Sequence, residues 1–378
     1  MIEYRFAVQA DMPDVIDFID LVFSHVREPH DFEAILPKCY AQGRDFSDVH
    51  AIAVRDGRVR GCLGSYPVKQ TMAGETLNIG YIGSMAVHRH ERGAGVMKEL
   101  VKMQIERAKE TGLDMLLLGG QRQRYEYHGF YPCGGDYSYY VSSPTVRHGL
   151  RDIEPSFDFE KMEPGSEAAV YALELYNRLP VTGARSKDDF VLAACSYWSA
   201  PWTILKNGKP VGYLISNNAC DHVSELVVED DALLLTAIKS WFVKKSPNRL
   251  YIKTAPHDVV LNRTLSSFAE SYTIGQDSMM LLINPERVIR AYMKLKNSYE
   301  PLADGTLCLK LGDHPTLELK VENGEVSVCP TDKEAQLALT MEEGIHLLFA
   351  FNRFYAPQAQ TPAGWFPLPM SVATADTF

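Results

Sequence analysis

Apolar and polar residues alternate in the first few positions of the chain and then change to a helical period. Residues 4–8 have the alternation of a strand, and beyond them Val15, Ile19 and Val22 recur at helical spacing. Asp11 stands where a helix N-cap is expected. The pattern therefore predicts a strand followed by an amphipathic helix.

A hairpin pattern occurs twice in the chain. Residues 53–63 align without a gap on residues 204–214, and each segment has Asp or Asn followed by Gly at its turn. Two later strands of the first copy also have counterparts, with residues 84–87 corresponding to 225–228 and residues 113–118 to 250–255. We infer two copies of one α/β unit, the second spanning about residues 152–285.

The pattern changes again from residue 286 onward. A helix is followed by short strands around a turn at residues 323–324, and then by a second helix whose start has Thr340 and Glu343 as a capping box. The last segment, residues 357–378, is rich in Pro, Ala and Thr. We expect it to be an extended tail.

Composition places the chain among globular proteins. Its 378 residues are enough for two or three domains, and 46% hydrophobic with 23% charged residues is an ordinary globular balance. The net charge of −10 disfavours nucleic acid and anionic membranes as partners. Seven cysteines without a C-x-x-C pair favour a reducing compartment, and neither a signal peptide nor a membrane span is indicated. We therefore expect a cytoplasmic protein.

A basic turn between a strand and a helix is the first candidate site. Arg89, Arg92, Gly93 and Gly95 lie in this turn, where free backbone N–H groups and the positive end of the helix dipole meet. A phosphate-bearing ligand would explain it, and a solvated surface turn is the alternative. The equivalent turn of the second copy, residues 229–231, is acidic and has no glycine.

Two motifs carry a resemblance to a known family. Met85-Ala86-Val87 followed by Arg92-Gly93-Ala94-Gly95-Val96 resembles the acetyl-CoA signature R-x-x-G-x-G/A of the GNAT superfamily of N-acetyltransferases, with Met97 at its last position. Residues 125–130, YEYHGF, match the Y-x-x-x-G-F motif that follows the next strand in that superfamily. The chain is thus similar to the GNAT enzymes in two motifs that come in the right order.

The whole chain resembles the enhanced-intracellular-survival (Eis-like) group of these enzymes. This resemblance implies an α/β (α+β) fold of tandem GNAT-like mixed sheets flanked by helices, with a smaller sterol-carrier-protein-like C-terminal domain. The implied boundaries are residues 1–151 for a catalytic domain, 152–285 for a degenerate second copy, and 286–378 for the C-terminal domain. It also implies a homo-oligomer.

The resemblance implies acetyl-CoA as co-substrate and assigns residues to it. The pantetheine arm of acetyl-CoA would lie beside the strand that ends at residues 84–87 and pair with it as a pseudo-strand. The implied cofactor-binding residues are Met85, Ala86 and Val87 for the arm, Arg92, Gly93, Ala94, Gly95, Val96 and Met97 for the pyrophosphate, and Gly120 and Gln121 for further contacts.

Acetyl transfer to an amine needs an acid for the departing thiolate and donors for the oxyanion. Tyr125 is the candidate acid, because tyrosine near pKa ~10 is only about 1.5 units above a thiol near ~8.5, or roughly 2 kcal/mol. A packing role is the alternative for Tyr125, and His128 is the next residue to test. A backbone N–H near Val87 is the candidate oxyanion donor.

The amine also has to lose a proton, and the first copy has no obvious base. Eis-like enzymes use their own C-terminal carboxylate, and this chain also ends in phenylalanine, Phe378. We therefore expect the Phe378 carboxylate, with Asp376 as the substitute, to face the amine. A frayed terminus is the alternative, although the apolar, proline-containing run at residues 365–370 favours an ordered tail.

Other polar residues have less specific interpretations. His88 and His90 lack further ligands at metal spacing, so we expect no metal. Asp31, Glu33 and Asp45 are either acceptor-facing or solvated loop charges. The expected acceptor is a primary amine of a cationic small molecule or a lysine-like group. A non-catalytic acyl-CoA sensor, a lipid carrier and a scaffold remain the alternatives.

Overall fold

A computed structural model describes residues 1–25, 29–245, 247–276, 278–351 and 354–378. The first elements in chain order are β1 (Glu3–Phe6), α1 (Met12–Ser24), α2 (Phe32–Ile35), α3 (Pro37–Tyr40), β2 (His50–Arg55), β3 (Arg58–Met72), β4 (Glu75–Val87), α4 (Val96–Glu110), β5 (Met115–Leu118), α5 (Arg122–Tyr125), β6 (Tyr131–Cys133), β7 (Asp136–Ser142) and α6 (Ser143–Gly149).

The middle of the chain repeats this mixture of strands and helices. Its elements are β8 (Asp158–Lys161), α7 (Glu167–Tyr176), β9 (Val181–Gly183), α8 (Phe190–Ala194), β10 (Ser199–Lys206), β11 (Lys209–Asn217), β12 (His222–Val228), α9 (Leu234–Lys245), β13 (Arg249–Thr254), α10 (Val259–Ser266), β14 (Ser271–Gly275) and β15 (Ser278–Leu282).

The last part forms a smaller unit. Its elements are α11 (Pro285–Tyr299), β16 (Gly305–Leu311), β17 (Leu317–Glu322), β18 (Glu325–Pro330), β19 (Leu337–Leu339) and α12 (Met341–Phe349). Its four strands pair in the order β18-β17-β16-β19. One apolar core joins this unit to the first sheet, because Tyr81 and Met115 of that sheet pack in the same cluster as Val288 and Trp365.

The two large sheets have the same central arrangement. The first has the order β1-β2-β3-β4-β5-β15-β6 with β9 added to β3, and the second has the order β14-β7-β13-β12-β11-β10-β8. Each contains one parallel pair at its centre, β4 with β5 and β12 with β13, among antiparallel neighbours. The repeat inferred from the two hairpins and the predicted α/β fold of tandem mixed sheets are confirmed.

Each large sheet holds one strand from the other half of the chain. β7 lies in the second sheet between β13 and β14, and β15 lies in the first sheet between β5 and β6. A cut at residue 151 would leave both sheets without an inner strand. The three-domain division at residues 151 and 285 stays a proposal, and the sheets themselves are not contiguous in sequence.

Three local predictions concern a hairpin, a capping box and a helix N-cap. The hairpin of β2 and β3 and the capping box of α12, in which Thr340 and Glu343 exchange hydrogen bonds, are confirmed. Asp11 occupies the N-cap position of α1, as predicted, but its side chain does not accept a hydrogen bond from that helix. Its carboxylate instead accepts the Val8 N–H at 2.8 Å and pairs with Arg5 at 2.6 Å.

The C-terminal tail is extended, and its residues 365–372 are largely buried. Within residues 354–378 the regular structure is one short 3₁₀ turn, Thr374–Asp376. Trp365 and Met370 are almost inaccessible, and the Trp365 indole donates to the Ala303 carbonyl at 2.8 Å. The tail therefore packs along the molecule. No helix in the described ranges is long and apolar enough to cross a membrane.

Candidate active site

The two parallel strands at the centre of the first sheet separate at their ends. β4 pairs with β5 from Ile79 to Ile82, where β5 ends at Leu118, and β4 continues through Val87. On the side that faces β5, residues 83–87 of β4 therefore have no neighbouring strand among the described residues. Backbone N–H and C=O groups on such an edge can pair with an extended ligand, as in β-strand addition.

A β-bulge redirects β4 at the point of separation. Gly83 is opposite Gly64 and Ala86 is opposite Cys62, so β4 has one residue more than β3 across this step. Ser84 in the bulge has φ +52°, which is rare for a residue other than glycine. The bulge lies directly where β4 leaves β5.

Hydrogen bonds hold the Ser84 side chain below the sheet. Its hydroxyl lies 2.8 Å from both the Tyr40 and Tyr66 hydroxyls, and these two also contact each other. His50 Nε2 lies 3.0 Å from the Tyr40 hydroxyl and 3.1 Å from that of Tyr66, while its Nδ1 lies 2.8 Å from the Phe46 carbonyl. All four clustered side chains are buried.

Burial keeps this cluster uncharged. It lowers the pKa of His50 to about 4 and raises the pKa values of Tyr40 and Tyr66 well above the ordinary value for tyrosine. The neutral imidazole donates through Nδ1 to Phe46 and accepts at Nε2 from the tyrosines. The cluster therefore fixes the backbone of β4 without placing a charge beside it.

The basic turn opens onto the same end of β4. Gly93 has φ +83° and Gly95 has φ +80°, and open space surrounds the position of a Cβ on either residue. Arg92 is exposed, whereas Glu91 is buried and pairs with Arg55 at 3.1 Å. Gly95 directly precedes the fifteen-residue helix α4. A positive helix end, accessible backbone and the exposed guanidinium groups of Arg89 and Arg92 suit an anionic group.

The structure brings the sequence-predicted ligand residues to this opening. They are Met85, Ala86 and Val87 at the end of β4; Arg92, Gly93, Ala94 and Gly95 in the turn; Val96 and Met97 in the first turn of α4; and Gly120 and Gln121 after β5. Their backbone groups fit a ligand with an extended arm and an anionic end.

Tyr125 lies on the α4 side of the opening. It is buried among apolar residues, with its ring 6.2 Å from that of Phe130 at a steep angle. Its Cε2 is 3.0 Å from where a Cβ on Gly120 would lie, so glycine allows this close approach. Burial raises the pKa of Tyr125, which keeps it protonated at neutral pH. His128 is half-buried, and burial lowers its pKa.

The chain terminus lies on β4 at the bulge. A Cβ on Gly83 would be 3.1 Å from the carboxyl carbon of Phe378 and from one of its oxygens. The Phe378 ring stacks on Tyr66 at 4.7 Å between centroids and 5° between planes, and Lys38 Nζ lies 3.6 Å from its centroid. The terminal carboxylate is therefore placed where β4 leaves β5.

Two buried cations hold the tail just before its end. Lys38 donates to the carbonyls of Ala375, at 2.8 Å, and Thr377. Arg185 pairs through Nε with Asp376 at 2.8 Å and through Nη2 with Glu225 on β12 at 2.9 Å. Sequence reasoning missed both cations, because each is a lone basic residue far along the chain from its partners.

The remaining predicted residues have local roles or solvent positions. Asp31 caps α2 by accepting the Ala34 N–H at 3.0 Å. Asp45 accepts the Ser47 N–H at 3.0 Å, and this backbone hydrogen bond holds its pKa below the ordinary value. The other residues are Glu33, which is exposed, and His88 and His90, which lie in and beside the 3₁₀ turn that precedes Arg92. Among the described residues, no cluster of three or more His, Cys, Asp or Glu could hold a metal.

A family comparison agrees with this site. Residues 3–132 match the acetyltransferase (GNAT) domain, a segment that includes β4, the basic turn, α4, β5 and Tyr125. The match thus covers the N-terminal part of the chain. No protein of curated function matches the chain.

Solved structures share the fold of nearly the whole chain. A GCN5-related N-acetyltransferase from Anabaena variabilis is 18% identical, with 91% of this chain and 89% of that one covered at a TM-score of 0.65. A probable N-acyltransferase from Enterococcus faecalis is 14% identical, with 92% and 90% covered and a TM-score of 0.65. Eis1 from Mycobacterium abscessus is 14% identical, with 91% and 88% covered and a TM-score of 0.60.

The buried Lys38 makes stability depend on pH in a specific direction. Burial lowers its pKa in the fold to about 8, against about 10.5 in an unfolded chain. Between these values the unfolded chain binds more protons, so the Lys38 contribution to stability rises with pH. We expect the unfolding free energy of the wild type minus that of Lys38→Met to increase from pH 8 to pH 10, measured by urea denaturation. A flat or falling difference would contradict this.

Proposed function

We propose that the protein is an acetyl-CoA-dependent N-acetyltransferase acting on a primary amine of a cationic small molecule or a lysine-like acceptor. The observation that carries the proposal is the Phe378 carboxylate against Gly83, at the opening between β4 and β5. The GNAT domain at residues 3–132 supports acyl transfer at this opening.

The chain's own residues would bind the co-substrate along the opening. Backbone groups of residues 85–87 pair with the pantetheine arm, and residues 92–97 hold the pyrophosphate with N–H groups and the Arg92 guanidinium. Gly120 and Gln121 add contacts after β5. Acetyl-CoA supplies an acetyl group activated as a thioester.

One group would protonate the departing sulfur of that thioester, and another would stabilise the negative charge on its oxygen. Tyr125 gives its phenolic proton to the departing sulfur, and the Val87 N–H donates to the carbonyl oxygen as negative charge develops there. A bond forms between the acceptor nitrogen and the acetyl carbon as the carbon–sulfur bond breaks. Tyr125 recovers its proton from solvent.

The Phe378 carboxylate would act on the acceptor nitrogen. The pKa of a free ammonium, near ~10.4, exceeds that of a terminal carboxyl, near ~3.5, by about 7 units, or roughly 9 kcal/mol, so the ammonium loses its first proton to solvent and not to the carboxylate. The neutral amine then attacks with its lone pair. The carboxylate orients this amine and takes a second proton from the nitrogen once the nitrogen–carbon bond has formed and made that nitrogen much more acidic. Asp376 is unsuited to replace it, because Arg185 and the Tyr176 hydroxyl already bind its carboxylate.

The proposal includes several features of the whole protein. They are the Eis-like grouping, a sterol-carrier-protein-like unit from residue 286, a homo-oligomer and a cytoplasmic location. The likeness in fold to Eis1 supports the grouping, and the charge of −10 supports the absence of nucleic-acid and membrane partners.

We expect one CoA site in each chain. Strand β4 is followed by the basic turn at residues 92–95. The equivalent strand of the second copy, β12, is followed by acidic residues 229–231, which repel phosphates. Calorimetry with CoA should give a stoichiometry of one, and Arg92→Glu with Gly95→Asp should abolish binding. Two sites per chain, or binding that survives the double variant, would count against this assignment.

We expect Tyr125→Phe to lower kcat by about 10²–10⁴-fold, because it removes the proton donor. The Phe ring keeps the packing on Gly120 and Phe130, so CoA affinity should change little. Steady-state kinetics with a panel of amines measures the effect, and Tyr127→Phe, at an exposed neighbouring position, is the matched control. Wild-type turnover in Tyr125→Phe would reduce Tyr125 to a packing residue.

The proposed role of the Phe378 carboxylate can be tested by shortening or extending the chain at its C-terminus. Deletion of residues 375–378, or a short polar extension after Phe378, should each lower turnover strongly while CoA still binds, because both remove the carboxylate from Gly83. CoA release with amines between pH 6 and pH 9 is the measurement. It also separates an enzyme from a non-catalytic acyl-CoA sensor, which binds CoA without turnover. Parent rates in both variants would rule out a catalytic role for the terminus.

A further inference from the structure

The second sheet has an opening like that of the first. β12 pairs with β13 at His222 and Val223 only, and then continues through Val228 while β13 continues through Thr254. Residues 224–228 therefore run beyond the paired segment, as residues 83–87 do in β4. The proposed acetyl transfer makes no use of this second opening.

A cavity of about 450 Å³ occupies this second opening. Its walls come from the ends of β12 and β13, the first turn of α10 and the tail at residues 371–376. Apolar side chains contribute much of the lining, among them Leu226, Val260, Leu261 and Val372. Its volume lies in the range of roughly 300–1,000 Å³ that small-molecule sites have.

Carboxylates outnumber cations around the cavity. The lining contains Asp136, Glu225, Asp231, Asp258 and Asp376, together with Lys253 and His257. Lys253 pairs with Asp136 at 2.8 Å, and Arg185 alone is shared by Glu225 and Asp376. Burial lowers the pKa of His257, which favours its neutral form.

Negative charge thus remains after these pairings. Glu225 and Asp376 have one arginine between them, and Asp231 is exposed and has no ion pair among the described residues. The turn after β12 also disfavours an anion, because the Asp230 carboxylate already accepts the Ala232 N–H at 2.9 Å. Among the described residues of the lining, the balance of charge therefore disfavours a phosphate-bearing ligand.

We propose that this cavity is a binding site for a small organic cation with a hydrocarbon body, separate from the opening between β4 and β5. One of its ammonium groups lies against the carboxylate of Asp231, and its carbon chain lies on the apolar wall. Since residues 371–376 form one side of the cavity, the ligand also contacts the segment that leads to Phe378. The site does not depend on the proposed acetyl transfer.

Calorimetry on the full chain with 1,6-diaminohexane, without any thioester, tests this site. Val260→Trp fills the cavity from an exposed position, so it should remove one binding site or weaken it at least tenfold. Val170→Trp, a similarly exposed valine outside the lining, should leave binding unchanged. Asp231→Asn should weaken binding by roughly three- to tenfold, and Glu229→Gln, outside the lining, should have little effect.

The uncharged analogue 1,6-hexanediol completes the test, because it keeps the carbon chain and lacks the charges. We expect it to bind at least tenfold more weakly than the diamine. The proposal is overturned if the diamine does not bind, if Val260→Trp binds it as the wild type does, or if the diol binds equally well. Because no acetyl transfer is measured, inactivity of the enzyme would leave these outcomes intact.

Discussion

One buried guanidinium holds the C-terminal tail against the second sheet. Arg185 is almost fully inaccessible, and its ion pairs among the described residues are with Glu225 on β12 and Asp376 in the tail. Removing Arg185 would cost about 3–5 kcal/mol or more, because both carboxylates would be left without their shared countercharge. The tail is therefore bound to the second sheet at residue 376. Two residues later, the terminal carboxylate reaches Gly83 in the first sheet.

The second α/β unit takes part in this arrangement even though its own turn is acidic. It supplies Glu225 to hold the tail, and it exchanges β7 and β15 with the first unit, so the two sheets keep a fixed relation. On the first sheet, the hydroxyls of Tyr40 and Tyr66 hold Ser84 in the bulge that the terminus approaches. We infer that the second unit positions the Phe378 carboxylate, which is the proposed base, at the first sheet.

The sequence was informative wherever a feature is built from neighbouring residues. The hairpins, the strand-turn-helix at residues 84–96 and the capping box at Thr340 all follow from local periodicity and turn chemistry. The extended tail was also predictable, because its prolines and apolar residues disfavour regular structure and favour burial. The roles of Tyr125 and Phe378 stay predictions.

Features that depend on distant residues could not be predicted from one sequence. Arg185 and Asp376 are 191 positions apart, and nothing in the local pattern of either marks them as partners. The exchange of β7 and β15 is hidden for the same reason, since every strand pattern fits either sheet. The bulge at Ser84 needs Tyr40 and Tyr66 from two other elements, and the hydroxyl cluster forms only after these pack.

Replacing the Phe378 carboxylate by a carboxamide is the most direct test of its proposed role as the base. Protein ligation can introduce this change, which removes the charge and basicity while preserving the ring, the chain length and the stacking on Tyr66. If the Phe378 carboxylate takes the proton of the acceptor amine, kcat should fall by about 100-fold or more, with CoA affinity and thermal stability nearly unchanged. A carboxamide protein that acetylates amines at the parent rate would contradict it.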